Sequence, residues 1–161
     1  MYRRILVGID GSRTANLGLK EAMRLATDQR ARLMLVHVVD ELVPVAGFEP
    51  MTYSPEYIEA VRAGGQKVIE RARKLVRSRG VAAQTVLLET IARPAADLIV
   101  AQAKRWGADL IVLGTHGRRG LRRLVLGSDA EQVVRTSPVP VLLVRAKPAP
   151  PRRGKARRST R

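Results

Sequence analysis

DLIVLGTHGRRGLRRLVLGS, residues Asp109 to Ser128, is the stretch whose reading decides the fold. It opens with an apolar run, Leu110 to Leu113, and breaks into a loop carrying Gly114, Gly117 and Gly120. It closes on Gly127 and Ser128, just before a segment with helical spacing. A strand, a glycine-bearing loop and a helix start can cradle an anion, because backbone N–H groups and the helix dipole converge there.

The segments on either side repeat one grammar. Tyr2 to Ile9 reads as a strand, and its continuous apolar run Ile5-Leu6-Val7 suits a strand covered on both faces. Asp10-Gly11-Ser12 ends it, and Ser12 is placed to cap a helix over Arg13 to Gln29. Leu33 to Val39 is a second strand. The span Asp40 to Tyr53, with Pro44, Gly47 and Pro50, reads as a loop. Ser54-Pro55 starts a second helix running to about Arg79. Gly64 and Gly65 weaken its middle, leaving close packing or a break as alternatives. Val81 to Glu89 is a third strand, and Pro94 starts a third helix that Gly107 ends. Leu110 to Leu113 is the fourth strand. Ser128-Asp129-Ala130-Glu131 has the capping-box pattern, so Ser128 is expected to cap a short fourth helix to about Thr136. Val139 to Val144 is a fifth strand.

The order β-α-β-α-β-α-β-α-β predicts a mainly parallel sheet with helices on both faces. Ligands in such sheets bind beyond the carboxyl ends of the strands, where the strand order reverses. Asp10 ends the first strand and Gly114 the fourth, so these two features meet in one crevice if the strands are neighbours.

Composition narrows the function classes. The 161 residues suffice for one α/β domain with a core, and 45% of them are hydrophobic. No cysteine is present, which excludes disulfides and thiolate metal sites. The apolar run of MYRRILVGID is too short for a signal peptide, and nothing approaches the roughly 20 apolar residues of a membrane helix. A cytoplasmic protein with no membrane insertion is expected. The net charge is +16. Seven of those charges lie in Lys147 to Arg161, which contains no acidic residue and reads as a disordered basic tail beyond a domain of residues 1–146. Such a balance favours anionic partners: nucleotides, nucleic acids or an acidic membrane surface.

Each loop residue has two readings. Ser128 can cap its helix or donate its hydroxyl to a phosphate. Asp10 can hold the turn after the first strand or touch a ligand. His116 can reach a phosphate or be a solvated loop residue; His37 reads as structural. Arg118, Arg119, Arg122 and Arg123 form either a positive rim for phosphates or a solvated face. The spacing is neither the lysine-bearing phosphate loop nor the dinucleotide fingerprint.

RRILVGIDGS at the start, LVHVVD at the second strand, ADLIVLGTHGRRGLRRLVLGS and the closing SPVPVLLVR together resemble the universal stress protein family, from about Arg3 to Arg145. The nucleotide-binding members of that family carry G-x2-G-x9-G-[ST], and Gly114, Gly117, Gly127 and Ser128 match it. The resemblance implies an open five-stranded parallel sheet of order 3-2-1-4-5 with helices on both faces, a Rossmann-like α/β architecture, which makes strands one and four neighbours. It implies that Asp10, beside Ile9, meets the ribose or adenine side of ATP, and that Val38 meets the adenine through its backbone. Leu113, Gly114 and Gly117 would line the sugar and phosphate path. Arg118, Gly127, Ser128 and Asp129 would hold the phosphates. Asp129 would repel them unless Mg²⁺ bridged the two or the carboxylate turned away. The resemblance also implies a homodimer through the edge strand Val139 to Val144.

The leading expectation is an ATP-binding stress-response sensor or regulator with little or slow hydrolysis, since no base or phosphate-loop lysine is evident. The alternatives are a cyclic-nucleotide-binding regulator, or a nucleic-acid-associated protein using the basic tail.

Overall fold

The computed structural model describes residues 1–41, 55–91, 93–115, 117 and 126–146. The expected loop after Asp40, His116, the arginines 118, 119, 122 and 123, and the basic tail 147–161 lie outside the described residues, apart from Asp40 itself and Glu41.

The described residues form β1 (Arg4–Gly8), α1 (Arg13–Gln29), β2 (Arg32–Asp40), α2 (Pro55–Arg77), β3 (Ala83–Thr90), α3 (Ala95–Trp106), β4 (Leu110–Gly114), α4 (Ser128–Thr136) and β5 (Val141–Val144). The five strands form one parallel sheet in the order β3-β2-β1-β4-β5. The reversal falls between β1 and β4, as the resemblance implied.

Alternation along each strand divides the core into two layers. Ile5, Val7, Leu33, Leu35, Leu110 and Val112 face α1 and α2. Leu6, Met34, Val36, Ile111 and Leu113 face α3 and α4. This is why the strands read as unbroken apolar runs: both faces are covered. Right-handed crossovers produce the arrangement. The chain moves outward through β2 and β3 with its helices on one face, then returns to β4 and β5 with its helices on the other. Ile5, Leu6, Val7, Ile111 and Val112 have no exposed surface, and full burial of side chains this size contributes about 1.5–3 kcal/mol each.

Register between the halves is set at one point. The Asp109 carboxylate accepts the N–H groups of Arg3 (2.7 Å) and Arg4 (3.1 Å). The Asp109 N–H donates to Arg4 O at 2.9 Å. These bonds align Ile5 with Leu110 and Val7 with Val112.

Helix ends follow local chemistry. Ser12 caps α1, its hydroxyl accepting from the Ala15 N–H at 3.1 Å. Pro94 is the N-cap of α3 and not its first residue. β5 is shorter than its apolar run suggested: Pro140 offers only its carbonyl, which accepts from Ile111 N at 3.0 Å, and the ladder starts at Val141.

α2 runs unbroken through Gly64-Gly65, and of the two Gly65 marks close packing. A methyl group at Gly65 would lie 2.6 Å from Val39 Cγ2 and 3.0 Å from Leu87 Cδ1, whereas at Gly64 it would meet nothing within 4 Å. The two glycines therefore predict opposite effects. Gly65→Ala should lower the unfolding free energy by about 1–3 kcal/mol through overpacking. Gly64→Ala should raise it by about 0.5–1 kcal/mol, because alanine favours a helix interior. Urea denaturation of the two variants measures both; equal effects would contradict the packing described.

Candidate functional site: the crevice where β1 and β4 diverge

β1 ends at Gly8, and Ile9 continues it with an N–H donated to Val36 O at 2.8 Å. The Ile9 carbonyl meets Nδ1 of buried His37 at 2.6 Å. A carbonyl can only accept, so this nitrogen carries the proton. His37 is structural, as expected, and its work is to hold the backbone that presents Asp10. The Asp10 Oδ1 accepts the Ser12 N–H at 2.8 Å, closing a turn with Gly11 at φ +81°. That turn delivers the chain into α1.

One oxygen of Asp10 thus holds the turn, and the other lies beside Gly117. A Cβ added to Gly117 would lie 3.0 Å from Asp10 Oδ2. The two residues, 107 positions apart, are brought together at the sheet reversal. The turn-holding reading of Asp10 is met by Oδ1, and Oδ2 lies beside Gly117.

Gly114 plays a different part. A Cβ there would lie 2.6 Å from Ala15 N and 2.7 Å from Thr14 C, both backbone atoms. The absence of a side chain lets the end of β4 press against the first turn of α1. Thr14, only 8% exposed, completes this contact. Nothing in the local sequence marks Thr14, because its partner ends β4, the third strand further along the chain.

The loop that follows is gathered at its base. Thr115 N donates to Val144 O at 3.0 Å, and Gly127 N donates to Thr115 O at 2.9 Å. The N–H expected of Gly127 as a phosphate donor is engaged in closing the loop. Gly127, not Ser128, is the N-cap of α4. Its carbonyl accepts from Glu131 N at 2.9 Å, which makes Ser128 the first helical residue. The expected capping box does not form, and Glu131 instead pairs with Arg135 at 2.9 Å. Ser128 is exposed and does not serve as the cap. The amides of the first α4 turn point out of the helix start, where the dipole favours an anion. Asp129 and Glu131 occupy the same turn and are favoured there by that dipole.

The remaining expected residues lie in the core or beside the crevice. Ile9 and Leu113 are buried in opposite core layers, and the Leu113 side chain lies over Gly8. Val38 is half-buried, and β2 extends two residues beyond it to Asp40, past the β1 ladder, which ends at Gly8 with Val36. That leaves Val38 at the carboxyl edge beside the crevice. Glu41 and Glu89 are tied to Arg62 at 3.0 and 2.7 Å, which fastens α2 to the same edge. Among the described residues no group of three or more histidines and acids could hold a metal ion, and no helix is long and apolar enough to cross a membrane. The carboxyl of Glu21 is held below its usual range by the hydrogen bond from Arg24, an exposed pair along α1 outside the crevice.

Comparison with known proteins agrees with this fold. The model of the universal stress protein family matches residues 1–145. A universal stress protein of Bacillus subtilis is 35% identical over 151 residues, spanning 90% of this chain and all of that protein. A solved structure of a family protein from Burkholderia pseudomallei is 36% identical, with a TM-score of 0.71 over 90% of this chain and 97% of that one. The universal stress protein of Archaeoglobus fulgidus, solved in complex with dAMP, is 25% identical, with a TM-score of 0.63 over 89% of this chain and 98% of that one.

The two serines at helix starts should separate on mutation. Ser12→Ala should destabilise by about 1 kcal/mol, the usual value of a lost side-chain cap. Ser128→Ala should stay within about 0.5 kcal/mol of the parent. Thermal unfolding of both variants reads this, and a larger loss at Ser128 would contradict the cap assignment.

Proposed function

The chain belongs to the universal stress protein family, and we propose that it binds an adenine nucleotide, ATP, and acts as a stress-response sensor or regulator. The observation that carries the proposal is the Asp10 carboxylate against Gly117 at the reversal of strand order. An aspartate oxygen there suits the donating hydroxyls of a ribose and repels phosphates, which orients a nucleotide along the crevice. The sugar lies at Asp10 and the phosphates lie toward the start of α4, at Ser128 and Asp129. Val38 borders the base. The dAMP complex of the Archaeoglobus fulgidus relative supports the adenine nucleotide class. Mg²⁺ carried with ATP would bridge Asp129 to the phosphates and remove their repulsion.

The crevice residues are equipped to bind and orient. Phosphoryl transfer needs a positioned nucleophile and strong charge stabilisation, and Asp10 is committed through Oδ1 to its turn. Hydrolysis is therefore slow in this proposal, and the regulatory output rests on occupancy. β5 lies at a sheet edge with all four residues half-buried, and an apolar edge suits pairing with a second copy. The proposed dimer uses Val139 to Val144; a monomeric mass by light scattering would remove it.

Calorimetry with ATP, with and without Mg²⁺, tests the binding directly. Gly117→Val, which pushes on Asp10, and Asp10→Ala should each weaken binding by about tenfold or more, equivalent to about 1.4 kcal/mol. No binding at millimolar ATP would overturn the proposal. Mass spectrometry of nucleotide released from freshly purified protein identifies the base and phosphate count, and a cyclic nucleotide in place of ATP would correct the ligand.

A further inference from the structure

The opposite end of the sheet carries a second feature. A cavity of about 340 Å³ is lined by Met1, Arg3, Arg4, Gln29, Arg30 and Arg32. Arg4 opens β1 and Arg32 opens β2, so the cavity sits at the amino ends of the strands. The crevice with Asp10 lies beyond their carboxyl ends, on the far side of the sheet's length.

Two arrangements at this cavity oppose stability. The ladder sets Arg4 directly opposite Arg32, and like charges in that position repel. Arg30 ends α1 in the left-handed conformation, at φ 55° and ψ 36°. Gly107 does the same work for α3 at φ 70°, and Gly80 follows α2 at φ 69°. Glycine suits this conformation because it lacks the Cβ that collides there. Among the described residues Arg30 is the one non-glycine with positive φ. The helix dipole favours a cation at the end of α1, but it accounts for neither Arg3 nor the Arg4–Arg32 opposition.

Neutralising partners are sparse. Arg4 Nη1 donates to Trp106 O at 2.9 Å. The Asp109 carboxylate is nearby, accepting the main-chain N–H groups of Arg3 and Arg4. Among the described residues none of the four guanidiniums forms an ion pair.

We infer that this cavity is a second ligand site, for a small, multiply charged phosphate-class anion, separate from the nucleotide crevice. Guanidinium groups present rigid forks that match phosphate oxygens. An anion between Arg4, Arg30 and Arg32 turns the cross-strand repulsion into attraction and gives the left-handed arginine a function that glycine cannot supply. The volume lies at the lower end of small-molecule pockets, with room for a pyrophosphate-sized group and its hydration water. The net charge of +16 draws such anions to the surface. The site does not depend on the nucleotide proposal.

Calorimetry of the full chain with inorganic pyrophosphate tests the inference. The Arg30→Gly, Arg32→Gln double variant should lose about tenfold or more in pyrophosphate affinity. Asp10→Ala and Gly117→Val should leave that affinity within about twofold, since they alter the far end of the sheet. Arg30→Gly alone should raise the melting temperature without ligand while weakening pyrophosphate, which separates binding from a failure to fold. The basic tail is present in every variant, so its non-specific affinity cancels. No binding by the parent protein, unchanged binding by the double variant, or loss in Gly117→Val instead would overturn the site. A single-stranded oligonucleotide that binds more tightly than pyrophosphate and depends on Arg30 and Arg32 would overturn the small-anion assignment and give the surface to a nucleic-acid backbone.

Discussion

The pairing of β4 with β1 is the constraint on which the rest of the molecule depends. These strands are separated by two complete strand-helix units, yet they are hydrogen-bonded neighbours. Asp109 holds their register by accepting two N–H groups from the start of β1. A slip of one residue would exchange the two core layers, moving Leu110 and Val112 to the face now occupied by Ile111 and Leu113. Correct pairing also makes the reversal of strand order, and with it the crevice. The starts of α1 and α4 then both lie toward the carboxyl edge, on opposite faces of the sheet, because each helix follows one of the paired strands.

The glycines of one motif serve unlike physical ends. Gly114 is a packing residue, placed where any side chain would strike the backbone of Thr14 and Ala15. Gly117 faces a carboxylate oxygen. Gly127 closes the loop through its N–H and caps α4 through its carbonyl. A motif that reads as a phosphate cradle is thus also the joint that fastens the two halves of the sheet. Substitution at Gly114 would perturb folding and the crevice together, whereas substitution at Gly117 acts first on Asp10.

Charge is arranged along the sheet with the same economy of position. Asp10 marks the carboxyl edge, and Arg3, Arg4, Arg30 and Arg32 gather at the amino edge. Parallel strands make this possible, since every β-α unit begins at one edge and delivers its loop to the other. Arg4, the first residue of β1, is in this way set opposite Arg32, the first residue of β2.

Much of this was legible in the chain. Unbroken apolar runs located the strands, and Ser12 located the start of α1, because both signals are local. The crevice was half legible: Asp10 and the glycine spacing stood out, but their contact did not. The Ser128 capping box misled because Gly127 already had its carbonyl in position to accept from Glu131. Gly64 and Gly65 looked alike, and only Val39 and Leu87 across the helix-sheet interface distinguish them. By itself the sequence determined the alternation of strands and helices, the polar ends of the strands and the basic character of the surface. Periodicity, caps and charge act within a few residues. The tertiary structure alone decided that Asp10 faces Gly117, that Gly114 meets Thr14 and that four arginines share a cavity. Those contacts join residues brought together by strand order, and no local spacing encodes them.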